Sequence, residues 1–492
     1  MMKWLSLICL FLLAVATQAI PLMLFVAPNG VDNAPGTIEQ PLASMEGARN
    51  LIQARRAAGI INEGGYQVLL RGGVYRLIRP FVLTTLDSGT VPEPISYLAN
   101  PGEEVVIMGS IPLANAYLYG PAPDLLPGGM QIGPFDGRLY YRNALLPAEV
   151  SIMDQLIQVN NAAFITFGGM NFTGARGTAV SMINCENCLV TNSVVQYNGG
   201  AGIAINGGQN VGVLNCDIHD TGAGGVNLIS GDRQTLFPAG LFAENNTIRN
   251  CSRAFPAPGV YLDGVGNRAV HNLIADFPGP GVVVNGNDMV VDMNDIRNVL
   301  QGVLLPGRDW TLRGNRIVNN FIHDMPRSTG ISLLDDASGV AIAGNIIART
   351  GTGVFLDGGR DNTIQNNFFV DNPIAVRVAA DVDNNAQTWE LHSHIGTTSE
   401  LYRTRYPRLQ NLADNDPLLP LGNNISNNLI SGGQGIEFLD NTGRYVAANN
   451  NPNEINPGFT DRDKDDYRLT PEARERLKGI RQPTQENMGR LK

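Results

Sequence analysis

The chain has 492 residues, a formal net charge of −10 and only 16% charged residues. Lysine occurs only at positions 3, 464, 478 and 492, so the middle of the chain carries no lysine and no basic stripe. This balance argues against nucleic acid as a partner, because phosphate binding needs clustered cations. It also weakens the case for a polyanionic polysaccharide, although local arginines could still bind such a polymer.

The N-terminal segment has the features of a secretion signal. A largely apolar run follows Lys3 up to Val15, and residues 17–19 place small side chains at the spacing that signal peptidase cuts. The run is too short to span a bilayer as a stable anchor. We therefore predict that residues 1–19 are cleaved, that the mature chain starts at Ile20, and that it is secreted without membrane association. An uncleaved N-terminal anchor is the alternative.

A helix and the first coils are predicted next. Ser44 is a suitable N-cap, and Met45 and Ile52 lie on one face of a helix that runs to Gly59. Such a helix would cover the open apolar end of a stack of coils and block edge-to-edge pairing. Short apolar runs after it are typical of strands, so residues 20–150 are assigned to an N-terminal cap and first coils.

The main signal in the sequence is a repeat. A small residue, any residue and then an aliphatic or aromatic residue recur along the chain, and the first of the three is usually asparagine. The anchor positions are Ser193, Cys216, Asn246, Asn272, Asn294, Asn320, Asn345, Asn367 and Asn428. Their spacings are 23, 30, 26, 22, 26, 25, 22 and 61 residues, and a period of 22–26 residues is typical of a solenoid.

The repeat favours β-structure. The chain lacks the dense leucine of leucine-rich repeats and the long patterns of helical repeats, and it has short apolar runs broken by Gly, Asn and Asp. Three short strands and three turns fit one coil of this length. We therefore expect an all-β fold, a right-handed parallel β-helix over residues 151–450, with inward aliphatic columns and amide ladders of Asn at turns.

A second column lies four residues after the anchors. It holds Asp220, Asn250, Asp276, Asn298, Asp324 and Asp371. Short Asx side chains at one repeated place are typical of turns, so we interpret this column as structural.

The 61-residue gap and the C-terminus depart from the repeat. The gap predicts an excursion near 381–420 that walls a groove, and residues 451–492 are assigned to a C-terminal tail. The excursion contains Trp389, His392, His394 and Tyr402.

Four cysteines follow the signal segment. Cys185 and Cys188 have the Cys-x-x-Cys spacing of some metal and redox sites, but no second such pair and no histidine lies near them in sequence. We interpret Cys185, Cys188, Cys216 and Cys251 as buried structural thiols or as one disulfide, which secretion permits. No metal site and no cofactor are predicted.

Several motifs resemble those of one family of secreted β-helix proteins. They are residues 25–44, Leu70-Arg71-Gly72-Gly73-Val74-Tyr75, Asp220-Thr221-Gly222-Ala223-Gly224-Gly225 leading to Gly231-Asp232-Arg233, Gly307-Arg308-Asp309-Trp310, Leu334-Asp335-Asp336-Ala337-Ser338-Gly339 and Asn456-Pro457-Gly458-Phe459. Together they resemble glycoside hydrolase family 141 and its uncharacterised relatives over nearly the whole mature chain. The resemblance implies a carbohydrate-active β-helix, since that family includes a fucosidase acting on pectin and xylan-cleaving enzymes.

The chain departs from that family in one strand. Family members often carry an acidic Gly-Asp-Ala-Gly strand before Gly-Arg-Asp-Trp, and here the stretch reads Leu300-Gln301-Gly302-Val303. The region after Tyr141 is also shorter. Both differences put turnover in question and introduce the alternative of a degenerate member that only binds.

Candidate catalytic carboxylates occur before the anchors. Acidic or amide residues lie 9 to 11 positions before successive anchors, at Asp263, Asn285, Asp309, Asp335 and Asp357. We expect them in or near one column, with Asp309 and Asp335 in adjacent coils about 5 Å apart. That separation suits a retaining pair, whereas a pair that skips a coil would favour inversion. We predict Asp309 and Asp335 as the pair, with Asp336 as substitute or orienting partner.

Five further residues are candidate substrate contacts: Arg308, Trp310, Asp263, Asp357 and His323. Arg308 can hold a sugar hydroxyl or a carboxylate, and Trp310 can stack on a sugar face. The alternatives are packing for Arg308 and Trp310, turn capping for Asp263 and Asp357, and a place on the coil surface for His323.

Hydrolysis of a carbohydrate polymer or oligosaccharide by a monomeric protein is the predicted function. One alternative is non-catalytic glycan binding, which the missing acid favours. The other is a uronate lyase or epimerase, for which a lysine base is absent from the coils and an arginine base would have to give up a strongly held proton. Fold alone does not choose among these functions.

Overall fold

The chain folds as a right-handed parallel β-helix, as the repeat predicts. The structure, a computed structural model, describes residues 19–112, 130–132, 139–141, 149–307, 309–380, 399–410, 412 and 419–491. Each coil runs from a first face through the anchor to a second face and then to a third.

The signal segment lies outside the described residues except for Ala19, and its cleavage stays a prediction. In the described part of the chain, no helix is long and apolar enough to cross a membrane.

The first face is a 14-stranded parallel sheet. Its strands are Leu22–Val26, Tyr66–Leu70, Ile95–Ala99, Ile165–Gly168, Leu189–Thr191, Gly212–Leu214, Phe242–Glu244, Arg268–Val270, Val290–Asp292, Arg316–Val318, Ala341–Ala343, Thr363–Gln365, Asn424–Ser426 and Ala447–Asn449.

The second and third faces belong to one 20-stranded sheet. Four long strands turn the corner between the two faces: Leu273–Asn287, Asp295–Leu305, Phe321–Leu333 and Ile346–Asp357. The other second-face strands are Gly73–Arg76, Val105–Met108, Asn171–Thr173, Val194–Gln196, Asp217–His219, Thr247–Arg249, Phe368–Val370 and Leu429–Ser431. The other third-face strands are Phe81–Leu83, Ile157–Asn160, Val180–Glu186, Ile203–Gln209, Val226–Ser230, Val260–Val265, Ile374–Ala379 and Gln434–Phe438.

Short elements lie outside these faces. Antiparallel pairs join Ser110–Pro112 to Glu149–Ser151, Met130–Ile132 to Leu139–Tyr141, and Phe459–Asp461 to Asp466–Leu469. The described α-helices are Met45–Ala57, Glu400–Arg405 and Pro471–Arg476, and single 3₁₀ turns occur at Thr85–Asp87, Pro407–Leu409, Thr442–Arg444, Arg462–Lys464 and Gln485–Asn487.

Columns of aligned apolar side chains fill the interior. On the second face the register aligns Ile218, Ile248, Ile274, Ile296, Ile322, Ile347, Phe369 and Ile430, and all of them are buried. Each is the aliphatic or aromatic residue two positions after an anchor. Fully burying one such side chain contributes about 1.5–3 kcal/mol, so the repeat in the sequence is the repeat of the core.

The anchor asparagines form a buried ladder, which confirms the predicted amide ladder. Asn294 donates from both N and Nδ2 to Asn320 Oδ1, each at 2.9 Å. Asn320 donates in the same way to Asn345 Oδ1 at 2.9 and 3.0 Å. The same pattern continues through Asn246, Asn272, Asn367, Asn428 and Asn451.

The second Asx column occupies left-handed turns, which confirms its structural role. The φ angles of Asp220, Asn250, Asp276, Asn298, Asp324 and Asp371 lie between +48° and +65°. Asparagine and aspartate adopt this region more readily than other residues with a Cβ.

Replacing Asn250 with valine is expected to lower the free energy of unfolding by about 1–2 kcal/mol, because a β-branched residue is strained in the left-handed region. Urea denaturation followed by circular dichroism measures the change. Asn250→Gly is the matched control, since glycine adopts this φ freely. An equal loss in both variants would contradict the backbone explanation.

The N-terminal helix is present where Ser44 predicts it. Met45–Ala57 begins after Ser44, whose Oγ accepts a hydrogen bond from Gly47 N at 3.0 Å. Met45 and Ile52 are buried in the main core, which also contains Val26 of the first strand. The helix therefore covers the open end of the first coil.

The C-terminal segment packs on the outside of the second face. Tyr467, Leu469 and Leu477 form a buried cluster with Phe368 and Leu429 of two second-face strands. The helix Pro471–Arg476 lies within this segment. The tail therefore covers the last coils of the second face.

All four described cysteines are buried and unpaired, which matches the structural-thiol interpretation. Burial raises the pKa of Cys216 to about 12 and that of Cys251 to about 11. The thiols of Cys216 and Cys251 therefore stay protonated at neutral pH.

Candidate functional site

Asp309 lies at the centre of a buried hydrogen-bond network. Its side chain is 4% exposed. Arg233 Nη2 donates to Asp309 Oδ2 at 2.7 Å, and Thr311 donates from N at 2.8 Å and from Oγ1 at 2.5 Å to Oδ1. Both carboxylate oxygens are therefore engaged by protein groups, and Asp309 has almost no surface to meet a sugar in this conformation.

Arg233 and Tyr402 join three distant segments at this network. Arg233 Nε donates to Asn287 Oδ1 at 3.0 Å, and the Tyr402 hydroxyl donates to the Arg233 carbonyl at 2.6 Å. Burial raises the pKa of Tyr402 to about 12, so its hydroxyl remains a donor at neutral pH. The helix Glu400–Arg405 of the excursion therefore packs against the turn that contains Asp309.

Trp310 is fully buried beside this helix. It forms an apolar cluster with Tyr402, Tyr406, Leu409 and Leu412. An indole with no exposed face cannot stack on a sugar in this conformation. Trp310 therefore packs inside the protein, which is the alternative to sugar stacking given for it above. The other predicted groups of this region, Arg308, Trp389, His392 and His394, lie outside the described residues.

Asp335 and Asp336 occupy a tight turn after the strand Phe321–Leu333. Their φ angles are +45° and +64°. Asp336 is 1% exposed, and its Oδ1 accepts a hydrogen bond from Gly359 N at 3.0 Å. Asp335 is half-buried. Of the two, Asp335 is the carboxylate closer to solvent.

The turns of Asp309 and Asp335 lie in adjacent coils, as the spacing predicts. A Cβ on Gly307 would collide with the carbonyl oxygens of Leu334 and Asp335, so the two backbones are in direct contact there. The structure therefore brings the segments together, although the Asp309 carboxylate itself is turned into its own network.

Only some of the residues predicted to share a column at the strand ends do so. On the third face Asp263 pairs with Asn285, and Leu305, Leu333 and Leu356 align in successive coils. Continuing this register gives a column of Asp263, Asn285, Pro306, Leu334 and Asp357. Asp335 lies one residue beyond it and Asp309 lies three residues beyond it. Asp263 and Asp357 are four coils apart, about 19 Å at the usual strand spacing, which is too far for a catalytic pair.

Tyr261, Asp263 and Asn285 form a half-buried polar cluster on the outside of the third face. Val260 and Leu262 point into the core, so the alternate residues point outward. Tyr261 donates from its hydroxyl to Asp263 Oδ2 at 3.1 Å, and Asn285 Nδ2 lies 3.4 Å from the same hydroxyl. Partial burial, and then the charge of Asp263, raise the pKa of Tyr261 above its usual value. Within the described residues no group donates to Asp263 Oδ1.

A cleft of about 480 Å³ adjoins this cluster. Its lining includes Asn206, Gln209, Ser230, Asp232 and Phe237. Ile229, which also lines the cleft, pairs with Asp263 in the next coil. The volume falls in the roughly 300–1,000 Å³ range of ligand pockets, and the lining offers amides, a hydroxyl and a carboxylate.

His323 lies on the second face, apart from these groups. Its ring stacks on Phe321 with centroids 3.8 Å apart. Its Nδ1 lies 2.8 Å from Asp324 Oδ2, and its Nε2 lies 3.1 Å from Asp295 Oδ1. A hydrogen bond from Arg349 is the main cause that lowers the pKa of Asp324. His323 therefore takes part in a charged network under the C-terminal tail.

Sequence reasoning missed two residues of these sites, Arg233 and Tyr261. Arg233 belongs to the Gly231-Asp232-Arg233 motif, but its partner Asp309 follows 76 residues later and no local spacing links them. Tyr261 lies two positions before Asp263, and residues two apart on a strand share a face. That spacing is a signal that identifies Tyr261.

Two family profiles match parts of the chain. The profile described as "Right handed beta helix region" matches residues 155–253, and the one described as "Periplasmic copper-binding protein (NosD)" matches residues 229–400. No curated protein matches the chain.

Three solved structures are similar to the chain at low sequence identity. A structure of XylC in complex with xylose is 13% identical over 88% of this chain and 86% of that one, with a TM-score of 0.53. A glycoside hydrolase is 12% identical over 92% of this chain and 100% of that one, with a TM-score of 0.46. Pectate lyase Pel9A is 17% identical over 74% and 78% of the two chains, with a TM-score of 0.42.

The description of one matching family mentions copper binding. Copper sites are built from clustered His, Cys and Met ligands. Within the described ranges, no group of three or more His, Cys, Asp or Glu side chains is placed to hold a metal ion.

Proposed function

We propose that the chain binds a polysaccharide or oligosaccharide along its third face, at the Tyr261–Asp263–Asn285 cluster and the adjoining cleft. The carrying observation is the half-buried Asp263, whose Oδ1 has no donor among the described residues, beside a cleft of about 480 Å³. Sugar hydroxyls donate to carboxylates and accept from amides, so this set suits a neutral sugar. XylC, which has this fold, was solved with xylose.

Exposed aromatic rings border the same face on both sides. Tyr197 is 60% exposed and Phe255 is 66% exposed, and both lie in turns that lead into third-face strands. Phe237 is 55% exposed and lies in the loop that leads out of the strand Val226–Ser230. Aromatic rings supply large apolar faces for stacking, and exposed ones mark binding surfaces.

The test is isothermal titration calorimetry with xylan-type and pectic oligosaccharides. Tyr261→Ala and Asp263→Asn are each expected to weaken binding by about tenfold, the effect of removing one hydrogen bond that involves a charged group. Asp440→Asn is the matched control, because Asp440 lies on an exposed turn at the C-terminal end of the β-helix. Unchanged affinity in both cluster variants would contradict the proposal.

Hydrolysis by Asp309 and Asp335 is the second candidate, favoured by the contact between their two turns. It requires Arg233 to release the Asp309 carboxylate when substrate is present. The same oligosaccharides would then yield new reducing ends, and Asp335→Asn would abolish them. Products with an unsaturated sugar would indicate a lyase. Binding without turnover, unchanged in Asp309→Asn and Asp335→Asn, would leave glycan binding alone.

A further inference from the structure

A polar cleft on the first face brings two arginines together. Arg316, in the strand Arg316–Val318, and Arg481, in the C-terminal segment, line a cleft of about 260 Å³. Both are exposed. In the portion of the chain that the structure describes, neither guanidinium has a hydrogen-bond or ion-pair partner.

Arg268 offers a comparison on the same face. It occupies the same first-face column as Arg316, two coils earlier. Arg268 lies 3.5 Å from the Glu244 carboxylate and 4.6 Å from the centroid of the Phe242 ring. The coil neighbours of Arg316 are Val290 and Ala341, which carry neither a charge nor a ring. The chain has a net charge of −10, yet Arg316 has no ion-pair partner among the residues that the structure describes.

The rest of the lining is uncharged and includes several hydrogen-bonding side chains. Asn319, Asn366 and Thr484 contribute amides and a hydroxyl. Gly344 forms part of the wall, and a Cβ there would lie 2.6 Å from Asn319 Oδ1, so a larger residue would collide with the Asn319 side chain. Asn319 Nδ2 donates a hydrogen bond to Asp292 Oδ1 at 3.0 Å, so one carboxylate lies beside this lining.

We propose that this cleft binds the charged group of an acidic sugar, a uronate carboxylate or a sulfate ester. Guanidinium groups match such oxyanions with paired hydrogen bonds, and the amides and hydroxyl can take neighbouring sugar hydroxyls. At about 260 Å³ the cleft is slightly smaller than typical ligand pockets, which suits one sugar residue. The inference rests on the proposed glycan binding, and it adds a contact on a different face with a defined charge.

The experiment measures binding of a uronate trisaccharide, a sulfated trisaccharide, a neutral xylan-type trisaccharide and inorganic sulfate to the full chain. Arg316→Ala and Arg481→Ala are each expected to weaken binding of at least one acidic sugar by about tenfold or more. Affinity for the neutral sugar is expected to stay the same. Arg444→Ala removes an exposed arginine elsewhere and is the matched control.

Each outcome decides the proposal. Preference for the uronate or for the sulfated sugar identifies the group that the arginines bind. Acidic-sugar affinity that is the same in wild type and in Arg316→Ala would overturn the proposal, as would inorganic sulfate binding as tightly as either acidic sugar. If acidic-sugar affinity is unchanged in Arg316→Ala while neutral-sugar affinity still falls in Tyr261→Ala, the acidic site is refuted and third-face binding stands.

Discussion

Replacing Arg233 with methionine is expected to lower the free energy of unfolding by about 3–5 kcal/mol. The change leaves the Asp309 carboxylate buried without its counter-charge, while methionine keeps part of the apolar stem. Asp309→Asn is expected to cost less, because the Arg233 side chain is 24% exposed and can reach water. The new amide also keeps an oxygen that can accept from Thr311. Urea denaturation at neutral pH measures both variants.

The double variant separates pairing from packing. If Arg233 and Asp309 stabilise each other, Arg233→Met combined with Asp309→Asn should be more stable than Arg233→Met alone. Arg253→Met is the matched control, since Arg253 is 60% exposed and pairs with Asp220 at the surface. Its expected cost is below about 1 kcal/mol. An Arg233 variant no less stable than this control would show that the pair does not hold the turn in place.

Replacing Asn320 with alanine is expected to lower the free energy of unfolding by on the order of 4 kcal/mol, because several buried groups lose their partners at once and each such loss costs about 1–3 kcal/mol. Its Oδ1 accepts from Asn294 N and Nδ2, and its Nδ2 donates to the Val291 and Val318 carbonyls and to Asn345 Oδ1. Thermal and urea denaturation both report the loss.

The control for this prediction is Asn298→Gly in the outer Asx column. Asn298 is exposed, and glycine accepts its φ of +48°. The decrease in the free energy of unfolding for Asn298→Gly should be well below that for Asn320→Ala. Comparable losses at the two positions would mean that the buried ladder adds little beyond the turn conformation.

The fold could be predicted because successive coils of a β-helix place the same residue types at similar spacings along the chain. The anchors at Asn272, Asn294 and Asn320 predict a ladder, and the structure has that ladder. Ser44 predicts the start of the N-terminal helix by its capping chemistry, and the helix starts there. In both cases the interactions that decide the structure depend on spacing along the chain or on a local hydrogen bond.

The candidate site could be predicted only in part. Counting back from the anchors places Asp263 and Asp357 correctly in one column, because strand residues stack in register. Asp309 lies outside that column because the connection from the third face to the anchor differs in length between coils. Sequence spacing therefore identifies the coil to which each aspartate belongs, but not the direction in which it points.

The sequence by itself determined the architecture: the period, the inward columns, the asparagine ladder and the left-handed turns each follow from a residue type at a repeated position. Only the tertiary structure decided which carboxylates are open to a ligand. Arg233, 76 residues before Asp309 in the chain, holds that carboxylate in a buried hydrogen bond. Asp263 instead bonds to Tyr261 and stays half-buried on the third face. Pairing of charges across distant loops depends on where each loop packs, and loop lengths outside the repeat carry no period from which that packing follows.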